Sequence, residues 1–269
     1  INVNKKLTLE GFSRRLKFVQ LEWPVEFSTK QDRFCHFYCI GYDQPKQLCV
    51  RGAPMSTEAI NSAFAPLNDT VKAIYLCVDD LKVAASILYN AYVDDPLFID
   101  IFQAEKEGYE SRLRSAIREE LNAFWVAEQP MIGLFDEDRL IAVACLTAPD
   151  AAFGAGRYWH WRLRMLLTAG LFGTKQMLEK EEKVRALVPA DNFHMLSFIA
   201  VHPDYQHHGL GHILLGAIDS VIEEDEKSEG VSVFVTIEKH RSFFNDDNYK
   251  VVGQLSLSHV KGNVMYRAK

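Results

Sequence analysis

From Val71 onward the chain switches repeatedly between two hydrophobic periods, and the switches mark out alternating strands and helices. Val71 to Val78 is mostly apolar over strand length, which predicts a buried strand, and the following "DDLKVAASILYNAYVDD" has helical spacing with Asp79 or Asp80 near its cap. "FQAEKEGYESRLRSAIREELNAFWVAE" combines a charged exterior with apolar positions at helical spacing and predicts one long second helix. "MIGLFDEDRLIAVACLT" reads as a hairpin turning at Asp136 to Arg139. Further on, "FHMLSFIAV" predicts a central strand, and Leu210 to Glu224 a helix with Leu210, Leu214, Ile218 and Val221 on one face. "VSVFVTI", a short helix near Phe243, and the pair "YKVVGQLSLSH" and "NVMYRA" turning around Lys261-Gly262 complete the pattern. The class this predicts is α/β, with no internal repeat or low-complexity tract.

Two stretches stand apart. Residues 1–68 carry strand-like aromatic and β-branched content but no recognisable chemical motif, and are expected to form an N-terminal extension. Cys35 and His36 lie there without further ligands at metal-binding spacing. Residues 149–190 are expected to be an insertion. "GAGRYWHWRLRMLLTAGLFG" is aromatic with basic residues, and a helical "TKQMLEKEEKVRAL" follows. Such a segment can pack on the core, wall a pocket, pair with a second subunit or touch a membrane surface.

Composition narrows the class of partner. At 269 residues and 48% hydrophobic content the chain can bury one large core. A net charge of -6 without a long Lys/Arg block gives no broad electrostatic footprint for nucleic acid, so none is expected as a partner. The five cysteines are odd in number, lack a CxxC and mostly sit in apolar runs, as buried thiols in a reducing compartment would. No run approaches the about 18 apolar residues of a membrane span, and the opening residues lack the apolar core of a signal peptide. A cytoplasmic protein with no membrane partner is expected.

The chemistry-bearing stretch is "AVHPDYQHHGLGHILLGAI", residues 200–218. A strand ending at Val201, a turn containing Pro203 and then Gln206-His207-His208-Gly209-Leu210-Gly211 at a helix start make an anion cradle. Glycine allows close backbone approach, the first helical amides lack carbonyl partners, and the helix dipole favours negative charge. The expected ligand group is a phosphate or pyrophosphate. Two alternatives use the same residues. A metal site would draw on His208 and His212, with His202 or His207 as third ligand, but no carboxylate or cysteine has obvious matching spacing, and no metal is expected. A dinucleotide site would need a third glycine and a downstream acidic residue that are absent.

"IAVHPDYQHHGLG" resembles the signature of the GNAT superfamily of acetyl-CoA-dependent N-acyltransferases: an apolar strand end, a proline two residues on, then Gln/Arg-x-x-Gly-x-Gly/Ala. "VTIEKHRSFFNDDNYKVVGQ" is similar to that family's second half. The resemblance covers residues 69–269. It implies a GNAT-like fold, a mixed, mostly antiparallel central sheet flanked by helices, in which the strand before the cradle splays from its neighbour and pairs with the pantetheine arm of acetyl-CoA. On this resemblance Ile199, Ala200 and Val201 contact the arm and thioester. Gln206, His207, His208, Gly209, Leu210, Gly211 and His212 hold the pyrophosphate, and His240 falls where the family often places an asparagine against CoA. Where relatives often carry Arg or Lys in the cradle, this chain has histidines.

The same resemblance implies direct transfer of the acetyl group to a primary amine, with a backbone amide near Ile199 polarising the carbonyl. Phe244 falls where the family carries its tyrosine acid and cannot donate a proton. On a regular splayed strand Met195 and Ser197 point inward, and Ser197, which can hold a water, is the catalytic candidate. Glu238, His240 and His160 are further candidates, and His194 is expected on the opposite face. Asn248-Tyr249 replaces the family's usual Gly-Phe, and Asn tolerates a left-handed turn. The expected partners are a small-molecule amine or a lysine-containing peptide, with a homodimer plausible. The alternative is a catalytically silent CoA-binding or sensor module with an N-terminal interaction segment.

Overall fold

The computed structural model describes residues 71–149 and 173–269. The N-terminal extension, and the Tyr158 to Trp161 aromatic stretch of the insertion, lie outside the described residues. The strands are β1 (Val71–Tyr75), β2 (Met131–Asp136), β3 (Arg139–Thr147), β4 (His194–Val201), β5 (Gly230–Val235), β6 (Lys250–Leu257) and β7 (Val260–Ala268). They form a 7-stranded sheet in the order β1-β2-β3-β4-β5-β7-β6. Only the central β4–β5 pair is parallel. The helices are α1 (Leu81–Tyr92), α2 (Pro96–Ile101), α3 (Tyr109–Val126), α4 (173–187), α5 (Leu210–Glu224) and α6 (Glu238–Asp246).

The strand period distributes the core onto two faces. Val143 and Cys145 of β3 pack with Ala84 and Leu88 of α1 and Ile117 and Leu121 of α3, whereas Ala142, Ala144 and Leu146 pack with Leu214, Ile218 and Val221 of α5. The predicted apolar stripe of α5 is therefore its core face. Leu214 and Ile218 are completely buried, each stabilising the fold by about 1.5–3 kcal/mol of apolar transfer. The helix within the insertion belongs to the first face, where Met177 and Val184 join the same core and Gln176 Nε2 donates to Asp100 Oδ2.

Three expectations are corrected. The long second helix starts later than its stretch predicts, and a short helix precedes it: α3 begins only after Gly108, whose φ is +82°, while Asp95 caps α2 by accepting from the Leu97 amide with Pro96 in the first turn. The Arg112 guanidinium fastens the intervening loop by donating to the carbonyls of Phe102, Gln103, Lys106 and Glu107. The β6–β7 turn falls at Ser258-His259, because Lys261 and Gly262 already pair with Ser256 and Leu255. Gly262 serves close packing instead: a Cβ there would lie 2.6 Å from the Phe234 ring. Finally, β4 is not a regular strand, and its irregularity builds the site.

Candidate active site

Leu196 is the last residue of β4 paired with β5, opposite Val233. On the other side, β3 pairs Cys145 with Phe198 and Leu146 with Leu196, so Ser197 is an extra, bulged residue. A bulge bends the strand that carries it, and here β4 parts from β5 just beyond it. The bulge also resets the side-chain alternation. Met195, Phe198 and Ala200 face the α1/α3 core, while Leu196, Ile199 and Val201 face α5. Along the splayed half, Ala200 pairs with β3, and the backbone groups of Ile199 and Val201 turn toward the opening.

The opening runs directly into the predicted cradle. Val201 leads into a short 3-10 turn, Pro203–Tyr205, capped by His202, whose Nδ1 accepts from the Asp204 amide. Gln206 Nε2 donates to the Val201 carbonyl at 3.1 Å, closing the turn. His207 and Gly209 then take left-handed backbone, with φ of 65° and 77°. This conformation is strained for most residues and turns the chain sharply into α5. The carbonyl of Gly209 receives the amides of His212 and Ile213, so those of Leu210 and Gly211 precede the helical ladder. Leu210 buries its side chain, anchoring the helix start, and Gly211 lies under Phe243, where a Cβ would sit 3.0 Å from the ring.

The predicted histidines divide. His207 and His208 are exposed beside the cradle. His212 is half-buried, stacks at a tilt 4.9 Å from the Phe243 ring, and pairs its Nδ1 with Asp247 Oδ2 at 2.6 Å. Asp247 therefore places a carboxylate near this part of the cradle. Among the described residues, no group of three or more His, Cys, Asp or Glu side chains is gathered as a metal site.

A roof over the splay comes from the α1–α2 turn, which sequence reasoning missed. Tyr92, the last residue of α1, sets its hydroxyl against the backbone of Ile199, accepting from the amide at 3.0 Å and donating to the carbonyl at 3.2 Å. Its ring is held edge-on between Phe98 and Phe198, at 5.1 and 5.6 Å. Three residues on, Asp95 is almost fully buried; its Oδ2 accepts from the Thr236 hydroxyl just beyond β5, at 2.8 Å. The α1–α2 turn thus touches both sides of the opening. Burial raises the Tyr92 phenol far above its usual range and the Tyr109 phenol to about 12, with the Asp95 carboxylate adding to both. Desolvation, assisted by Lys239 and opposed by Asp95, lowers the pKa of His240 at the start of α6.

The other catalytic candidates are distributed around this opening and away from it. The Ser197 hydroxyl lies 3.2 Å from that of Thr147, so the two form a polar pair on the bulge. Phe244 is buried against Tyr249, and Glu238 is exposed and pairs with Arg241. Asn248 takes the left-handed conformation expected of it, with φ of 65°. His194 lies at the far end of β4, buried, with Nδ1 2.9 Å from Ser228 Oγ and Nε2 3.9 Å from Asp225. The Ser228 hydroxyl donates to the Gly230 carbonyl, so this Ser-His-Asp set is a buried tie between β4 and the loop entering β5.

Neither a family model nor a curated protein sequence matches this chain. Solved structures do. "Histone acetyltransferase HPA2 and related acetyltransferase" from Corynebacterium glutamicum superposes with a TM-score of 0.55 at 13% identity, covering 73% of this chain and 95% of that one. The PaiA N-acetyltransferase of Thermoplasma acidophilum, solved with coenzyme A, gives a TM-score of 0.47 at 14% identity, over 74% of this chain and 99% of that one. An agmatine N-acetyltransferase in its apo form gives 0.47 at 14% identity, over 75% and 100%. The described chain has the fold of the GNAT superfamily.

Proposed function

We propose that this protein is an N-acetyltransferase that moves an acetyl group from acetyl-CoA to a primary amine by direct attack. The observation that carries the proposal is continuity: the backbone edge at Ile199 and Val201, which β5 no longer pairs and which, among the described residues, only the Tyr92 hydroxyl and the Gln206 side chain touch, leads through one tight turn into the amide cradle at the head of α5. An extended arm with an amide-bearing chain suits the first, as an added strand would, and a pyrophosphate suits the second. Gly209 and Gly211 fit this role because one supplies left-handed backbone and the other leaves space beside Phe243.

The cosubstrate supplies an activated acyl carbon. The protein's part is to hold that carbon beside the acceptor, which alone accounts for a large share of the barrier reduction in such transfers. A neutral amine nitrogen forms the new C–N bond as the C–S bond breaks, and the sulfur departs with the bonding electrons. Ser197 and Thr147 hold a water that receives the ammonium proton, and His240, with its lowered pKa, is a neutral acceptor near neutral pH.

One observation favours the second candidate, a silent CoA-binding module. Phe244 is buried in the position expected of the acid, leaving no phenol there. Turnover separates the two: thiol release from acetyl-CoA is measured against a panel of small amines, polyamines and lysine peptides, with CoA binding followed by thermal shift. Acceptor-dependent release supports the transferase, binding without release supports the silent module, and absence of both overturns the proposal.

A further inference from the structure

Resting on that proposed function, the contact between Tyr92 and Ile199 carries an inference about how the thioester is held. The Ile199 amide is the group expected to polarise the thioester carbonyl, yet its hydrogen already points to the Tyr92 hydroxyl at 3.0 Å. Either the phenol withdraws when the arm enters, or it stays and acts in the amide's place.

The packing favours the second course. Tyr92 closes α1 and its ring is wedged edge-on against Phe98 of α2 and Phe198 of β4, so withdrawal would break contacts with both. Reorienting the O–H alone requires no ring movement. A phenol has one hydrogen and can accept while it donates. It can therefore keep the Ile199 amide on its oxygen and turn its hydrogen from the Ile199 carbonyl to the substrate. The vacated carbonyl is then available to an N–H of the incoming arm, as in an added strand.

We propose that the Tyr92 hydroxyl, polarised by the Ile199 amide behind it, is the hydrogen-bond donor to the thioester carbonyl oxygen. Tyr92 is thus a catalytic residue that stabilises negative charge developing on that oxygen as the amine attacks; no proton leaves it. Burial keeps the phenol protonated across the neutral range, as a donor requires. An amide that donates to a hydroxyl which itself donates strengthens the outer bond. The arrangement also places a phenol in the opening from the α1 side, where Phe244 offers none from the α6 side.

The test combines kinetics with binding. Tyr92→Phe keeps the ring and removes the hydroxyl, and kcat should fall about 100-fold with KM for acetyl-CoA little changed. An unchanged or increased kcat would show that the phenol only blocked the amide, and would overturn the inference. Binding supplies the second arm, independent of turnover and of the variant's folding. The unmodified protein should bind acetyl-CoA about threefold or more tightly than S-ethyl-CoA, a thioether without the carbonyl, and folded Tyr92→Phe should lose that preference. Equal affinity of the unmodified protein for the two compounds overturns the role of Tyr92 and leaves the proposed function standing. Failure to bind either compound overturns both.

Discussion

Asp95 and Thr236 join the two sides of the opening in the sheet: the Thr236 hydroxyl, just past β5, donates to Asp95 Oδ2 at 2.8 Å. The other oxygen of Asp95 caps α2 by accepting from the Leu97 amide at 2.8 Å. One buried carboxylate thus fixes the roof relative to the strand that has parted from β4. Asp95→Ala should cost about 1–3 kcal/mol of stability, and Thr236→Val about 0.5–1.5 kcal/mol. Because they share a bond, the double variant should lose less than the sum, as urea denaturation of the four proteins would show.

The cradle depends on left-handed backbone at Gly209, φ 77°. Gly209→Ala should weaken CoA binding by raising the energy of the conformation that presents the Leu210 and Gly211 amides, at about 1–2 kcal/mol. Gly209→Asn, which tolerates that conformation better, should recover part of the loss in a calorimetric titration.

His207 and His208 are exposed beside the turn into α5, where the pyrophosphate is proposed to sit. Converting both to Glu should weaken CoA binding about tenfold by placing negative charge next to a phosphate, as a calorimetric titration of the two proteins would show. Unchanged affinity contradicts that placement of the pyrophosphate.

His240 supplies a stability effect of defined sign. Its pKa in the folded chain lies below the ordinary 6.5, mainly through desolvation. The unfolded chain therefore binds more protons as the pH falls below that value. The contribution is fully present above about 6.5 and is lost as pH falls through the lowered pKa. His240→Gln should reduce the fall in melting temperature between pH 7 and the acid side of that window, by a small amount because the residue is exposed.

The Ser228-His194-Asp225 set has the composition of a nucleophilic triad, but its serine and histidine are buried at the far end of β4, with the serine hydroxyl bonded to Gly230. Ser228→Ala should lower stability by about 1–3 kcal/mol and leave acetyl transfer unchanged. The unmodified protein should also resist serine-directed phosphonylating reagents, as intact-mass measurements would show.

Much of this architecture was legible from periodicity. The boundaries of α5 match the predicted Leu210 to Glu224, and the Asp136 to Arg139 hairpin and the strand before the cradle lie where the pattern puts them. Gln206 to Gly211 was readable as a tight strand-to-helix turn because glycines there have a local backbone meaning. The failures share a physical cause. The Ser197 bulge depends on the register with β3, which no local pattern in β4 records, so alternation counted through it puts side chains on the wrong face. Gly262 signals a turn in sequence but in the fold accommodates the Phe234 ring, a contact set by a distant strand. Tyr92 and Asp95 were hidden in "YVDDP": the Asp-Pro step marks a helix start, but only the folded sheet shows that this turn roofs the opening. Their partners lie 107 and 141 residues away in sequence.

The most direct measurement is incubation of the protein with acetyl-CoA and the panel of primary amines, with the amines analysed by mass spectrometry and free thiol followed in parallel. The account predicts an N-acetylated amine formed in step with thiol release, dependent on the protein and diminished by Tyr92→Phe. CoA binding with no acetylated amine across the panel would contradict the transferase in favour of the silent module.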